Sequence, residues 1–437
     1  MITRTTAAAP ETIGVAAMAR DWTPRSICAL ALLTLIYAFN YLDRSILSLV
    51  LPQVKAEMHL SDTALGLVSG FAFVLFYSLL GVPIARLADR SSRRNIVGIG
   101  LIFWSLMTSL TGLVANVWQL ATTRFLMGAG EACGVAPSNA LVSDMFSPAR
   151  RNLAVAILSS GSAIAFVVFF PLVGWLVDHH GWRATFVAAG VPGIVLALLL
   201  FTTVREPARA APVTPEEGRE SLTETVRFLL QSPAFVRTVV GGAFMGISLY
   251  ASAVWNPMFL VRVHGLSLTE VGSVIGPLRG LAGLGGVLFG GWLADRLGRR
   301  DARWRLAMPG IACVLVLPED LVFLLSGALG TSLAGLAVAQ FCTSMHLGPV
   351  YAACMAVARA RMRATAAALF LLIANFVGQI LGPLIVGYLN DRLNASYGDL
   401  AIRYSLIIGA VCAALGGAVL ISAARSLERD SRRAGGT

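Results

Sequence analysis

Charge is what this sequence has least of. Only 13% of its 437 residues are Asp, Glu, Lys or Arg, against about 25% in a soluble domain. That is too little to coat a globule of this size. It excludes an ordinary cytosolic enzyme, a disordered chain and a nucleic-acid-binding module of the usual kind. Lysine is almost missing, with Lys55 the only one. The six cysteines (Cys28, Cys133, Cys313, Cys342, Cys354 and Cys412) are scattered through apolar runs without a CxxC pair. They read as small packing residues, not as disulfides or metal ligands. There is no GxxxxGK[ST] phosphate loop, no hydrolase elbow and no metal cluster. The sequence therefore offers no catalytic residue, no metal site and no bound cofactor, and the chain is not read as an enzyme.

Apolar residues make up 57% of the chain, and the mean hydropathy is +0.75. A membrane-spanning helix needs about 20 mostly apolar residues. Twelve such runs are present, at 27–51, 63–85, 95–115, 117–142, 151–177, 184–204, 235–260, 268–293, 305–325, 331–357, 363–389 and 400–424. None alternates with period two, so a barrel is not expected. The first run is too long for the apolar part of a cleaved signal peptide, so none is expected. The net charge of +11 comes almost wholly from arginine. Arg clusters occupy the N-terminus, loops 2–3, 4–5, 8–9 and 10–11, the central linker and the C-tail. Only Lys55, Arg183, Arg262, Arg392 and Arg403 fall in the alternate loops. By the positive-inside rule both termini are cytoplasmic, as an even number of spans requires. A multi-pass protein of a bacterial inner membrane, acting as a monomer, is expected.

Residues 205–232 are the longest polar stretch between spans. A short surface helix is expected at 215–230, with Thr214 as its N-cap and Pro215 in its first turn. The stretch separates a six-helix half at 27–204 from another at 233–424, with cytoplasmic segments at 1–26 and 425–437. The halves echo each other. Asp89-Arg90-Ser-Ser92-Arg93-Arg94 follows span 2, and Asp295-Arg296-Leu-Gly298-Arg299-Arg300 follows span 8. Span 5 carries Pro171, Gly174 and Asp178, and span 11 carries Pro383, Gly387 and Asp391. Internal six-span repeats are a signature of secondary transporters, with the substrate site near the midplane between the halves.

The Asp-Arg-x-Gly-Arg-Arg loop resembles the signature of the major facilitator superfamily, complete in the second half and altered at Ala85 and Ser92 in the first. The resemblance implies an all-α fold of two pseudo-symmetric six-helix halves. It also implies that Asp89, Arg90, Arg94, Asp295, Arg296 and Arg300 form a conformational gate, fastening the cytoplasmic ends when the protein opens outward. Span 9 would face lipid in that fold.

Ionisable groups inside spans are costly and call for a reason. Span 1 holds Asn40-Tyr41-Leu42-Asp43-Arg44, and span 4 holds Arg124-Phe-Leu-Met-Gly128-Ala-Gly130-Glu131. Counted along the two helices, Asp43 and Arg124 nearly meet in the outer half of the bilayer, with Glu131 nearer the cytoplasm. Gly128 and Gly130 would let a neighbouring helix pack closely. A carboxylate beside Arg favours its charged form, and one without a partner its neutral form. Movement of Arg124 or Arg44 relative to Asp43 would therefore couple a proton to transport, with Glu131 as a second proton site. A static ion pair that only fixes packing is the other reading. These two motifs, with Gly181-Trp182-Arg183 and Val204-Arg205-Glu206-Pro207, resemble the spinster branch, which implies proton-linked movement of lysolipids or sphingosine phosphates. Organic anion:cation symporters share the span 1 and span 4 motifs.

In the second half, Arg279 lies near the midplane and, with Arg124, suits an anionic head group. His346 is a candidate for titration near neutral pH. Tyr41, Tyr77, Trp255, Asn256, Tyr351, Asn375 and Gln379 are the polar and aromatic cavity candidates. Pro318-Glu319-Asp320 in span 9 is anomalous and suggests a kink. A greasy cavity with a few arginines suits an amphiphile with one anionic end. The expected function is proton-coupled transport of an amphiphilic or anionic small molecule by alternating access. The expected partners are that substrate, protons and membrane lipid, with no nucleic acid and only the proton gradient as driving force. The rivals are an organic-anion:proton symporter and a membrane sensor on a transporter fold.

Overall fold

The computed structural model describes residues 22–207 and 221–435. Arg4, Arg20, Thr214 and Pro215 lie outside them. Among the described residues every element is helical. Eight continuous helical stretches are long and apolar enough to cross a bilayer. Pro148–Thr203 and Ala360–Arg433 each hold two spans, divided at Gly181, whose φ is 77°, and at Gly398. The two remaining spans are less uniform. Span 3, Arg93–Thr111, opens on two arginines. Span 4 is interrupted between Val117–Glu131 and Val135–Met145.

Span 1, Pro24–Met58, runs past both expected ends. Thr23 caps its start, accepting from the Ser26 amide at 3.2 Å, with Pro24 in the first turn. Pro52 does not stop it, because packed neighbours and local adjustment tolerate a missing donor inside a membrane helix. Asp43 lies near the middle of this long helix, about 28 Å from Pro24 and 22 Å from Met58. Span 2 is Asp62–Ser69 continued, after a break at Gly70, by Phe71–Arg90. Span 5 is Pro148–Ser159 and Gly161–Ile164, then a π-helical turn at Ala165–Phe169, then the first part of Phe170–Thr203. Span 6 is the rest of that helix after Gly181.

The linker helix is Leu222–Leu230 and starts later than expected. Ser221 caps it, its Oγ accepting from the Glu224 amide at 3.1 Å. Span 7 is Pro233–His264. Span 8 is Leu268–Pro277, a second π turn at Leu278–Ala282, and Gly283–Gly298. Span 9 is Trp304–Leu325. Span 10 is Leu329–Ser344 and Leu347–Ala356, span 11 is Arg363–Tyr397 and span 12 is Ala401–Arg433. The end bearing the linker and the first and last described residues is called here the linker end, and the opposite one the distal end.

The halves meet at the distal end and in the middle, where span 2 packs on span 11 and span 5 on span 8. A Cβ at Gly387 would lie 2.3 Å from Asp62 O, and one at Gly174 2.3 Å from Leu268 O. The two glycines are therefore what let these helices approach so closely. At the linker end, Pro148–Ser159 packs on spans 1 and 4, and Gly283–Gly298 on spans 9 and 10, each inside its own half. The molecule is closed at the distal end and open at the linker end.

Candidate functional site

A cavity of about 830 Å³ lies between the halves. Its basic wall comes from spans 1, 4 and 8. Adjacent residues on a helix point about 100° apart, and span 1 uses that. Asp43 is 1% exposed inside the N-terminal half, while Arg44 lines the cavity. Arg44 Nε donates to Glu131 Oε2 at 2.5 Å, and its Nη2 donates to Asn40 Oδ1 at 3.0 Å. Its guanidinium carbon stands 4.4 Å from the Tyr77 ring centroid, 5.1 Å from Phe73 and 5.6 Å from Tyr41. An Arg sandwiched on aromatic faces keeps its charge with little water.

Arg124, only 1% exposed, still reaches the cavity wall. Its Nη1 donates to the Asp43 carbonyl oxygen at 3.4 Å, and its guanidinium lies 5.7 Å from the Phe73 centroid. Asp43 Oδ1, Glu131 Oε1 and Arg124 Nε are buried without a hydrogen-bond partner. Four ionisable groups thus sit together with one tight pair, Arg44 with Glu131, and unmet capacity on the others. Buried polar groups are ordinarily satisfied, and these three atoms are exceptions. The close helix packing that assembles it uses both glycines. A Cβ at Gly128 would lie 2.3 Å from Phe73 O of span 2, and one at Gly130 2.9 Å from Trp104 Cβ of span 3.

Arg279 occupies the π turn of span 8 and lines the cavity. Its Nη2 donates to Ser252 O at 2.9 Å, and it faces Phe166, in the π turn of span 5, at 5.8 Å. π turns occur preferentially at functional sites, and no residue pattern announced these two. Tyr41, Asn256, Asn375 and Gln379 also line the cavity, with the Tyr250 hydroxyl donating to Asn375 Oδ1 at 2.7 Å.

Other sequence candidates lie elsewhere. Trp255 is fully buried and donates to Pro383 O at 3.0 Å. His346 is buried with its Nδ1 on Thr343 O. Tyr351 packs among the apolar residues near the linker end of the second half, and Tyr77 stacks behind Arg44 on Phe73. None of these four is on the cavity wall. Asp320 departs from the expectation that span 9 faces lipid, because it is 8% exposed and lines the cavity.

Among the described residues, no hydrogen bond or ion pair joins the gate candidates of one half to those of the other. Arg90, Asp295, Arg296 and Arg300 are exposed, and Arg296 lies over Trp292 of its own helix. Arg94 is tied inside its own half, through its amide to Glu206 at 2.9 Å and its Nη1 to Val204 O at 3.2 Å. The Asp89 side chain lies outside the described residues.

The distal end holds the contacts that sequence reading missed. Asp391 of span 11 accepts from the amides of Asp62 and Thr63 at 2.9 and 2.8 Å, and from the Thr63 hydroxyl. Asp178 of span 5 accepts in the same way from the amides of Leu268 and Thr269 at 3.3 and 2.7 Å, and from the Thr269 hydroxyl. Each carboxylate meets the unsatisfied N–H groups at the start of a helix in the other half, where the helix dipole also favours an anion. Asp62 itself is clamped by Arg262 of span 7, at 2.7 and 2.9 Å, and by Lys55 at 2.6 Å. The signal was present in the repeated Pro-Gly-Asp triplets of spans 5 and 11, although a repeat by itself names no partner.

A family model described as Major Facilitator Superfamily matches residues 33–383. An MFS-type efflux pump of Mycolicibacterium smegmatis is 33% identical over 398 residues, covering 89% of this chain and 92% of the relative. Human protein spinster homolog 1 is 28% identical over 443 residues, covering 94% of this chain and 83% of the relative. A crystal structure described as a bacterial homolog of the human lysosomal transporter spinster, inward-facing and unoccupied, superposes with a TM-score of 0.84. It is 28% identical and covers 94% of this chain and 99% of that one. With two six-helix halves around one cavity, the chain belongs to the major facilitator superfamily as a multi-pass membrane transporter of the spinster type, and is not an enzyme.

Proposed function

We propose that this protein is a proton-coupled transporter that works by alternating access on an amphiphilic molecule with an anionic end. The observation that carries the reading is the pair between Arg44, on the cavity wall, and the fully buried Glu131 behind it. An incoming anion competes with Glu131 for Arg44. Once displaced, Glu131 is a fully buried carboxylate that has lost its hydrogen-bonded cation, and such a group takes up a proton more readily. Anion binding and proton binding then favour each other, which is linkage between two ligands. Asp43, inside the bundle, and Arg124, which reaches the cavity wall, supply the second exchange of partners. Proton and substrate move in the same direction in this scheme, driven by the proton gradient without a cofactor, and one copy of the chain suffices.

The linker end faces the cytoplasm in this reading, supported by the arginine clusters there, so the cavity opens inward. The Asp89/Asp295 loops would fasten that end when the distal latches release. A mostly apolar cavity with three arginines favours a lysolipid-like molecule over a small polar acid.

The test is a proteoliposome assay with an enclosed pH dye, offering lysolipids and small organic acids to the wild type, Asp43→Asn and Glu131→Gln. A ligand-dependent pH change in the wild type that is lost in Glu131→Gln supports coupling, and its sign reports the direction. Ligand flux in all three proteins with no pH signal sinks the proton role and leaves a facilitator.

A further inference from the structure

One charge on the cavity wall plays no part in that scheme. Asp320 of span 9 is nine-tenths buried and faces the cavity. Among the described residues its carboxylate has no hydrogen bond or ion pair. Its placement is built into the packing. Gly335 of span 10 lets the span 9 backbone come close, since a Cβ there would lie 2.8 Å from Glu319 O. Pro318, two residues before, removes a backbone donor inside the helix. Asp320 shares the cavity wall with one stripe of span 10, Leu336, Ala339, Gln340 and Thr343. Its neighbour Glu319, about 100° away, does not reach the wall.

A carboxylate within a membrane span and without a paired cation is among the costliest side chains to keep there. Three arginines share its cavity, yet each is engaged elsewhere: Arg44 by Glu131, Arg124 by the Asp43 carbonyl and Arg279 by Ser252 O. The cavity thus has a basic wall and a separate acidic spot. Counted from the distal ends of spans 8 and 9, Arg279 and Asp320 lie roughly 9 Å apart along the bundle axis.

We infer that Asp320 is the recognition group for a cationic nitrogen on the transported molecule, an ammonium or quaternary ammonium carried on the same head as the anionic group. The inference rests on the reading of this cavity as the substrate site. It assigns span 9 a part in selectivity.

The test uses the full chain in lipid nanodiscs and three probes sharing a ten-carbon tail: decyl phosphate, decyltrimethylammonium and decylphosphocholine. Equilibrium binding is measured at fixed pH, with empty discs subtracted. The wild type is expected to prefer decylphosphocholine to decyl phosphate by about tenfold or more, the worth of one charge-assisted contact. Asp320→Asn is expected to lose that preference and to weaken both nitrogen-bearing probes while leaving decyl phosphate unchanged. Glu319→Gln should leave all three alone. A wild type with no preference for the nitrogen-bearing probes overturns the inference. So does an Asp320→Asn protein with normal melting that weakens all three alike or alters only pH dependence. Should Asp320→Asn fail to fold, the wild-type preference and its retention in Asp320→Glu decide. Binding is read without a gradient, so a protein that selects the nitrogen but moves no protons retires the coupling scheme and leaves this inference standing.

Discussion

Removing Arg262 should open the distal end without unfolding either half. Its guanidinium holds Asp62 through two hydrogen bonds of 2.7 and 2.9 Å, from span 7 in one half to the start of span 2 in the other. The Asp62 side chain is 3% exposed and that of Arg262 15%, so little water screens the pair. Stripping a buried pair of one partner costs about 3–5 kcal/mol when the other is left bare. In Arg262→Ala, however, Lys55 stays on Asp62 at 2.6 Å. The loss is then nearer the ~1.5–3 kcal/mol of hydrogen bonds to a charged group. The pair crosses the halves, so it exists only while the distal end is closed, and its whole worth enters the equilibrium between closed and open. At about 1.4 kcal/mol per factor of ten, Arg262→Ala moves that equilibrium roughly 10- to 150-fold toward the open form.

Spin labels on exposed Ala56 and Asp399, in a cysteine-free background, would report it as a longer distance in pulsed electron resonance. Arg183→Ala is the control. Arg183 forms an equally short bond to Glu57 at the same end, 2.6 Å, but within one half. It should leave the distance distribution unchanged. Identical distributions for wild type and Arg262→Ala, or equal shifts for both variants, would refute the view that this clamp holds the closed state.

Gly387→Ala should act in the same direction, since its Cβ would stand 2.3 Å from Asp62 O, whereas Gly291→Ala meets nothing within 4 Å and should be silent; both are read with the same labels. Asp430→Ala should lower the melting temperature without changing coupling. That buried carboxylate accepts from the Ser232 hydroxyl and the Ala234 amide at 2.8 Å, far from the cavity, and losing it costs about 1–3 kcal/mol. Gly128→Ala should force span 4 away from Phe73 O and weaken anion binding by displacing Arg124 and Glu131 together, which equilibrium binding of decyl phosphate would register as a higher Kd. Ser221→Ala should destabilise the linker helix by about 1 kcal/mol, visible as faster amide exchange across Leu222–Leu230.

Much of this molecule was legible in the chain alone. Long apolar runs in a nearly lysine-free sequence leave no architecture but a helical bundle in a bilayer, because backbone polar groups there must be met within each helix. The echo of Asp89-Arg90 by Asp295-Arg296 marked two repeated halves. Charges inside spans 1, 4 and 8 stood out because their burial demands a reason. What the chain could not settle was which side chain meets which. Asp43 and Arg44 are neighbours in sequence, but a 100° turn of the helix separates them. The ion pair forms between Arg44 and Glu131, 87 positions away, with Asp43 left inside the bundle. Counting residues along span 1 missed its full length because the helix continues through Pro52. Asp320 looked misplaced on a lipid-facing helix, and only the packed bundle shows that it lines the cavity, where span 10 approaches span 9 at Gly335. The repeated Asp178 and Asp391 were visible as letters, but their work at the starts of spans 8 and 2 depends on contacts between halves some 90 and 330 residues apart. Local composition determines that each helix forms and lies in the membrane. Pairing across helices depends on rotation and depth, which packing alone decides.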